Sequence, residues 1–262
     1  MYAVFSLSRL GRGTTCKVLL KKYDGIELVI RVTVLLNNLK QNPFLIGKSQ
    51  LSMDVSVFTT AQFVIEVVGI VAFALSAIIG AARRRLDVVG VCAVAILASF
   101  GGGTLRDVLL DRRPFFWVEH YSLLWLVVVL ALAAILFMRG KHFDLTERAM
   151  QLPDALGMGL FCAGGTQIAL NMEMPALVAV MMGMITAVFG GVLRDVVCNE
   201  IPRVFNDHRP YALCAFAGGW VLVLAHYFGL PQWTGLFLGA ISASALRVLA
   251  MVFDWKIPSW RT

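Results

Sequence analysis

Seven apolar stretches, separated by short polar segments, run along the chain at about 57–82, 88–110, 121–138, 152–170, 176–198, 211–228 and 232–250. Each is close to the roughly 20 apolar residues that carry a helix across a bilayer core. They are too long and too numerous for the packed core of a soluble domain. A helix is predicted for each, because in lipid every backbone N–H and C=O must be satisfied within its own segment.

Two glycine-rich, charged motifs interrupt this pattern. GGGTLRDVLLDRRP occupies Gly101 to Pro114, at the end of the second stretch, and FGGVLRDVVCNEIP occupies Phe189 to Pro202, at the end of the fifth. A shift of 88 positions without gaps lays Gly102, Gly103, Leu105, Arg106, Asp107, Val108 and Pro114 on Gly190, Gly191, Leu193, Arg194, Asp195, Val196 and Pro202. The same shift lays Glu66 on Asp154, Gly69 on Gly157 and Phe73 on Phe161. Each repeat, 56–139 and 148–228, holds three stretches. An odd number of spans sends the second repeat into the membrane from the opposite side, so the two are inverted about a pseudo-two-fold axis in the membrane plane. The expected fold is an all-α polytopic membrane protein. It has seven transmembrane helices in two inverted three-helix repeats, a seventh helix at 232–251 and a tail at 252–262.

Composition agrees with this reading and narrows it. Of the residues, 59% are apolar and 15% charged, against about 25% charged in soluble domains, and the mean hydropathy is +0.78. The net charge of +7 sits mostly in short loops, which marks membrane orientation and not a nucleic-acid face. With the first span starting outside, the inner segments hold Arg83, Arg84, Arg85, Arg139, Lys141, Arg148, Arg203, Arg209, Arg247, Lys256 and Arg261, while the outer loops hold Arg112 and Arg113. The amino terminus is therefore expected outside and the carboxyl terminus in the cytoplasm. Residues 1–52, with eight positive residues, do not fit that orientation. They are expected to be an extension that is either disordered or not native, with the native start at Met53. The five cysteines show no metal-ligand or redox spacing and read as small packing residues. No metal or cofactor is expected, and no nucleophile or metalloprotease motif points to an enzyme.

The motifs carry the candidate chemistry. On an unbroken helix from Val88, Arg106 lies about 27 Å along the axis, near an interface where it can snorkel. Three successive glycines disfavour an unbroken helix, each costing about 1 kcal/mol relative to Ala. Two readings stay open for Gly101, Gly102, Gly103, Gly190 and Gly191. One is close helix packing through small residues. The other is a kinked or unwound turn that lines a polar cavity. Neighbours on a helix point about 100° apart, so Arg106 is not expected to pair with Asp107. Cross-repeat pairs are expected instead, Arg106 with Asp195 and Arg194 with Asp107, as structural bridges or as the lining of a polar path. Glu66 and Asp154 read as interfacial residues before cation-attracting ones. His120 and His226 read as interfacial too. Phe115, Phe116, Trp117, Tyr121 and Trp125 read as an aromatic belt.

Seven spans, two three-span repeats and GGGTLRD answered by GGVLRD resemble the prokaryotic trimeric intracellular cation (TRIC) channels. These were long grouped as uncharacterised bacterial membrane proteins, and their repeat domain also bears the label glycine transporter. The resemblance covers about residues 56–250. It implies a homotrimer in the bacterial inner membrane, with one pore per subunit and monovalent cations, chiefly potassium, as permeant. It implies that the second and fifth spans kink at their glycines and line the pore. It makes Gly101 to Gly103, Arg106, Asp107, Gly190, Gly191, Arg194 and Asp195 pore or gate candidates. The basic phosphoinositide motif of animal members has no clear counterpart here. A transporter of glycine or another small amino acid is the alternative. Inverted repeats with discontinuous helices suit it, with Arg meeting the carboxylate and Asp the ammonium.

Overall fold

The computed structural model describes residues 48–139, 147–206 and 209–256, with side chains from Phe58 onward. The chain divides into two compact units, Met1–Val55 and Ser56–Thr262. Residues 1–47, most of the expected extension, lie outside the described residues. The described residues form nine helices: α1 (Lys48–Arg83), α2 (Val88–Leu109), α3 (Phe116–Glu119), α4 (Ser122–Arg139), α5 (Glu147–Asn171), α6 (Ala176–Val197), α7 (Arg203–Asn206), α8 (Ala212–Tyr227) and α9 (Gln232–Val252). Seven are long and coincide with the seven predicted spans. The single-turn helices α3 and α7 follow the two motifs and were not predicted. By length and composition, Phe58–Arg83, α2, α6 and α9 are each long and apolar enough to cross a membrane, while Ser122–Phe137 and α8 are apolar but shorter. Charge dilutes α5, which contains Glu147, Arg148 and Asp154.

The repeat extends into the helix ends. Arg85 and Glu173, and likewise Asp111 and Asn199, adopt left-handed backbone φ of 50–58°. Each pair is related by the same shift of 88. Beyond each of these residues an N–H reaches back five residues: Leu86 to Ala81, Met174 to Ala169, Arg112 to Asp107 and Glu200 to Asp195. These Schellman closures satisfy the last carbonyls and turn the chain sharply. Short loops with sharp caps leave little polar backbone outside the helices, as a membrane requires.

Two reciprocal contacts lie on the pseudo-two-fold axis. In the first, α1 meets α5: a side chain on Gly69 would collide with the Phe161 ring, and a Cβ on Gly157 would lie 2.8 Å from the Phe73 ring. The two rings pack with centroids 5.1 Å apart. In the second, α2 meets α6: a Cβ on Gly102 would strike the Thr186 carbonyl, and one on Gly190 would strike the Ala98 carbonyl. Ala98 and Thr186 are themselves 88 positions apart. Small residues let these backbones touch, which is a main source of helix association in lipid.

The expected unwound turn does not form, because α2 and α6 remain helical through Gly101–Gly103 and Gly190–Gly191. Contact of the two helices at Gly102 and Gly190 offsets the intrinsic cost of glycine. The next glycine in each motif does something else. A Cβ on Gly103 would meet nothing closer than 3.9 Å, the Arg106 guanidinium, and one on Gly191 would sit 3.2 Å from the Tyr211 hydroxyl. Thus Gly102 and Gly190 bring the helices together, while Gly103 and Gly191 face buried side chains.

This division predicts that Gly102→Ala and Gly190→Ala each destabilise the fold by about 1–3 kcal/mol, the usual cost of overpacking. Gly103→Ala should leave stability nearly unchanged. Thermal unfolding in detergent tests the contrast, and equal damage at residues 102 and 103 would contradict it.

Candidate functional site

One turn beyond each glycine contact, a buried arginine gathers carboxylates. In repeat 1, Arg106 Nη1 donates to Glu66 Oε1 on α1 at 3.0 Å, and Arg106 Nε donates to Asp107 Oδ1 at 2.9 Å. The Arg106 Nη2 lies 2.8 Å from the same Asp107 oxygen. The other Asp107 oxygen accepts the Phe116 N–H at 3.3 Å, the first amide of α3. Asp107 thereby satisfies an otherwise orphaned helix-start donor as well as a guanidinium.

Repeat 2 reproduces the arrangement. Arg194 Nη1 donates to Asp154 Oδ1 on α5, and Arg194 Nε to Asp195 Oδ1 at 2.8 Å. Asp195 Oδ2 accepts the Arg203 N–H at 3.0 Å, the first amide of α7. All six charged residues are at most 5% exposed. Charges this deep persist only when paired and hydrogen-bonded, as these are.

The two clusters differ in what closes them. In repeat 2, Tyr211 donates its hydroxyl to Asp154 Oδ2 at 2.8 Å. Arg247, from α9, stacks over the Tyr211 ring at 4.7 Å and donates to the Pro210 carbonyl at 3.3 Å. Ser76 of α1 also accepts from Arg194 and donates its own hydroxyl to the Met150 carbonyl at 3.1 Å. In repeat 1, the position equivalent to Tyr211 is Leu123, and the counterpart of Ser76 on α5 is Gly164. There a cavity of about 360 Å³, bounded by Gln62, Glu66, Arg112, Glu119 and His120 among others, reaches Glu66. A separate, much smaller one is lined by Glu66, Arg106, Asp107 and Gly103 among others. A third space of about 400 Å³, apolar, lies along Leu97, Gly101, Leu105, Phe189 and Leu193. Among the described residues, no group of three or more His, Cys, Asp or Glu is placed to hold a metal ion.

Several expectations are corrected. The cross-repeat pairs Arg106–Asp195 and Arg194–Asp107 do not form. Ala98 meets Gly190 and Gly102 meets Thr186, so α2 and α6 cross antiparallel. Four residues past its glycine, each arginine has moved about 6 Å away from the crossing, in opposite directions for the two helices. Each arginine therefore pairs within its own repeat, with a carboxylate 40 positions earlier and with the adjacent aspartate. The long arginine side chain curls back to that neighbour, which the 100° separation alone does not forbid. Glu66 and Asp154 are core ion-pair partners and not interfacial residues. Phe116 and Trp117 are half-buried: Phe116 lines both polar cavities, and Trp117 Nε1 donates to Thr104 Oγ1 at 3.1 Å. Arg247, counted above with the inner tail, lies inside α9 and is 1% exposed. Tyr211, Ser76 and Arg247 were missed as site residues. An ionisable residue inside the apolar stretch 232–250 was the available signal for Arg247, whereas Tyr211 and Ser76 carried none.

Local pairing has a measurable signature. Arg106→Ala should cost about 3–5 kcal/mol by leaving buried carboxylates uncompensated. In double-mutant cycles, Arg106→Ala should couple to Glu66→Ala by about 1–3 kcal/mol and be additive with Asp195→Ala to within about 0.5 kcal/mol. Thermal unfolding of the four variants reads this, and the reverse pattern would restore the cross-repeat pairing.

The family model described as Glycine transporter matches residues 63–139 and 151–227, two copies in the register of the repeat. The UPF0126 inner membrane protein YadS of Escherichia coli (strain K12) is 34% identical over 197 residues, covering 75% of this chain and 94% of its own. A TRIC trimeric intracellular cation channel orthologue from Rhodobacter sphaeroides superposes with a TM-score of 0.69 at 29% identity, over 75% of this chain and 100% of that one. A structure bearing on conductance through TRIC cation channels superposes at 0.68 with 30% identity, over 76% and 97%. With both repeats matched by the family model and about three quarters of the chain matched by its relatives and by the solved channels, this chain belongs to the prokaryotic TRIC family of membrane proteins.

Proposed function

We propose that this protein is a potassium-type monovalent cation channel of the bacterial inner membrane, a homotrimer with a pore in each subunit along α2 and α6. The supporting observation is the pair of buried Arg–carboxylate clusters on either side of the α2–α6 crossing, faced by Gly103 and Gly191. A path between them would carry fixed charges at two levels and no bulky side chain at the glycines. Cation-channel relatives of the same fold support the reading. The distribution of Arg and Lys in the loops supports an outside amino terminus and a cytoplasmic carboxyl terminus. No reacting group or cofactor is part of the proposal, and the protein is not read as an enzyme.

In this reading the path is open at repeat 1, through the cavity at Glu66, and closed at repeat 2. Arg194 fills the lumen there. Tyr211 holds Asp154 against it, and Arg247 holds Tyr211. Conduction requires Arg194 to swing aside, which means breaking its hydrogen bonds to Asp154 and Ser76. A secondary transporter of glycine or a similar small amino acid is the second reading. Access to one buried charged site from one side only favours it, as does the name of the matching family model. An arginine beside a carboxylate suits a zwitterion.

Purified protein in planar bilayers should give unitary, cation-selective currents. Saturable uptake of labelled glycine into proteoliposomes without such currents would replace the channel by the transporter. Gly103→Leu and Gly191→Leu should reduce transport more than thermal stability, because a leucine there would enter the path. Tyr211→Phe removes one hydrogen bond to a carboxylate, worth about 1.5–3 kcal/mol. It should therefore raise the open-to-closed ratio about 10–150-fold in single-channel records. An unchanged open probability would remove Tyr211 from the gate.

A further inference from the structure

The apolar space of about 400 Å³ takes no part in the charged clusters. It is bounded by Ile96, Leu97, Val108, Trp117, Leu124 and Phe189 among others, so α2, α3, α4 and α6 all contribute to its walls. Along α2 it runs from Ile96 to Val108, about 18 Å of helix. One leaflet of a bilayer is about 15 Å deep, half of the roughly 30 Å core. Leu97 is 40% and Val108 48% exposed, so the groove opens sideways towards lipid. The polar groups in its lining satisfy one another: Thr104 donates to the Phe100 carbonyl at 2.8 Å and accepts from Trp117. A water molecule there would lack the polar partners it needs. Gly101 contributes no side chain to fill the space, whereas its counterpart under the shift of 88, Phe189, forms part of the wall.

We propose that this groove holds an acyl chain of an anionic phospholipid whose phosphate sits on Arg113. The helix α2 ends at Leu109, and the segment beyond it carries a stack that leads from the groove towards the surface. Trp117 lines the groove, Phe115 stacks on Trp117 with ring centroids 6.2 Å apart, and the Arg113 guanidinium lies 4.3 Å over the Phe115 ring. Aromatic rings at the end of a span mark the headgroup level. A guanidinium stacked on a ring keeps its N–H edge free to fork onto a phosphate. Arg113 is exposed, and among the described residues it forms no ion pair. Arg112 turns to Asp107 instead, 3.8 Å away, and Glu119 borders the polar cavity. The shift of 88 places Ile201 where Arg113 stands, so repeat 2 lacks both the glycine and the cation. A second copy of the chain is the other body that could cover the groove. Its apolar face would bury Arg113 without a counter-charge, which is costly, whereas a phosphate supplies one.

Native mass spectrometry of the full chain, released from nanodiscs of equal phosphatidylglycerol and phosphatidylcholine, tests this. Retained phosphatidylglycerol should exceed phosphatidylcholine about fivefold, the worth of one arginine at a membrane surface. Arg113→Ala should abolish the preference. Arg83→Ala, at an exposed arginine in the last turn of α1, should leave it unchanged. Leu97→Trp, which fills the groove from its open side, should remove the bound lipid. Equal retention of the two lipids by the wild type, a preference that survives Arg113→Ala, or lipid still held by Leu97→Trp overturns the proposal. So does an equal loss of preference in Arg83→Ala, which would mean attraction to surface charge in general. If Leu97→Trp does not fold, crystals of the wild type grown with phosphatidylglycerol brominated on its acyl chains decide. An anomalous bromine peak between Leu97 and Phe189 is the expected result, and an empty groove or the side chains of a neighbouring copy in it would reject the lipid.

Discussion

Backbone contact between α2 and α6 is the constraint on which the rest of this structure depends. Gly102 lies against the Thr186 carbonyl and Gly190 against that of Ala98, each without space for a methyl group. Lipid tails are as apolar as leucine, so burial alone does not pull these helices together, and close approach must supply the attraction. That approach sets the pseudo-two-fold axis in the second layer of helices. The Gly69–Phe161 and Gly157–Phe73 contacts set it in the first. Any other distance between α2 and α6 would move the arginines, one turn farther on, away from their carboxylates.

Inversion then decides the electrostatics. Because the helices cross antiparallel, the two Arg–Asp pairs diverge from the crossing instead of meeting over it. Each guanidinium must find its counter-charge in its own repeat and takes it from the first helix of that repeat, 40 positions earlier. The aspartate next to it has a second duty, since it also receives the first amide of the following short helix, α3 or α7. Deep charges, the break after each long helix and the start of each short one thus form one connected arrangement. This explains why Arg and Asp stand next to each other in both motifs, although adjacency on a helix is a poor geometry for an ion pair in isolation.

Much of the fold was legible because lipid imposes simple rules on sequence. Apolar length located all seven long helices, and the shift of 88 relating Gly102 to Gly190 and Phe73 to Phe161 fixed the repeat. The nature of the glycine motif was only half legible. A triple glycine reads equally as a break or as a contact, and only the facing carbonyls of Thr186 and Ala98 show that residues 102 and 190 are contacts. Pairing was misjudged because the repeat alignment gives correspondence, not distance: Arg106 and Asp195 align with partners, yet lie on opposite sides of the crossing. Glu66 and Asp154 lie near the starts of their stretches, where an interfacial reading is natural. Their burial follows from the arginines that reach them. The αL closures at Arg85, Asp111, Glu173 and Asn199 left no mark in sequence, since none of these residues is glycine.

What remains after the symmetry is subtracted is the functionally suggestive part. Two equal halves would give two equal ends. Here the cluster of repeat 2 acquires a tyrosine where repeat 1 has Leu123, a serine from α1 whose counterpart on α5 is Gly164, and an arginine from a helix that belongs to neither repeat. Arg247 has no counterpart, so α9 touches one cluster and not the other. Its guanidinium packs on the face of Tyr211 and donates to the Pro210 carbonyl, so it braces the tyrosine that holds Asp154. A lone helix added to a symmetric pair of repeats therefore gives the two charge clusters different surroundings. In the proposed channel that difference is what would close one end while the other stays accessible.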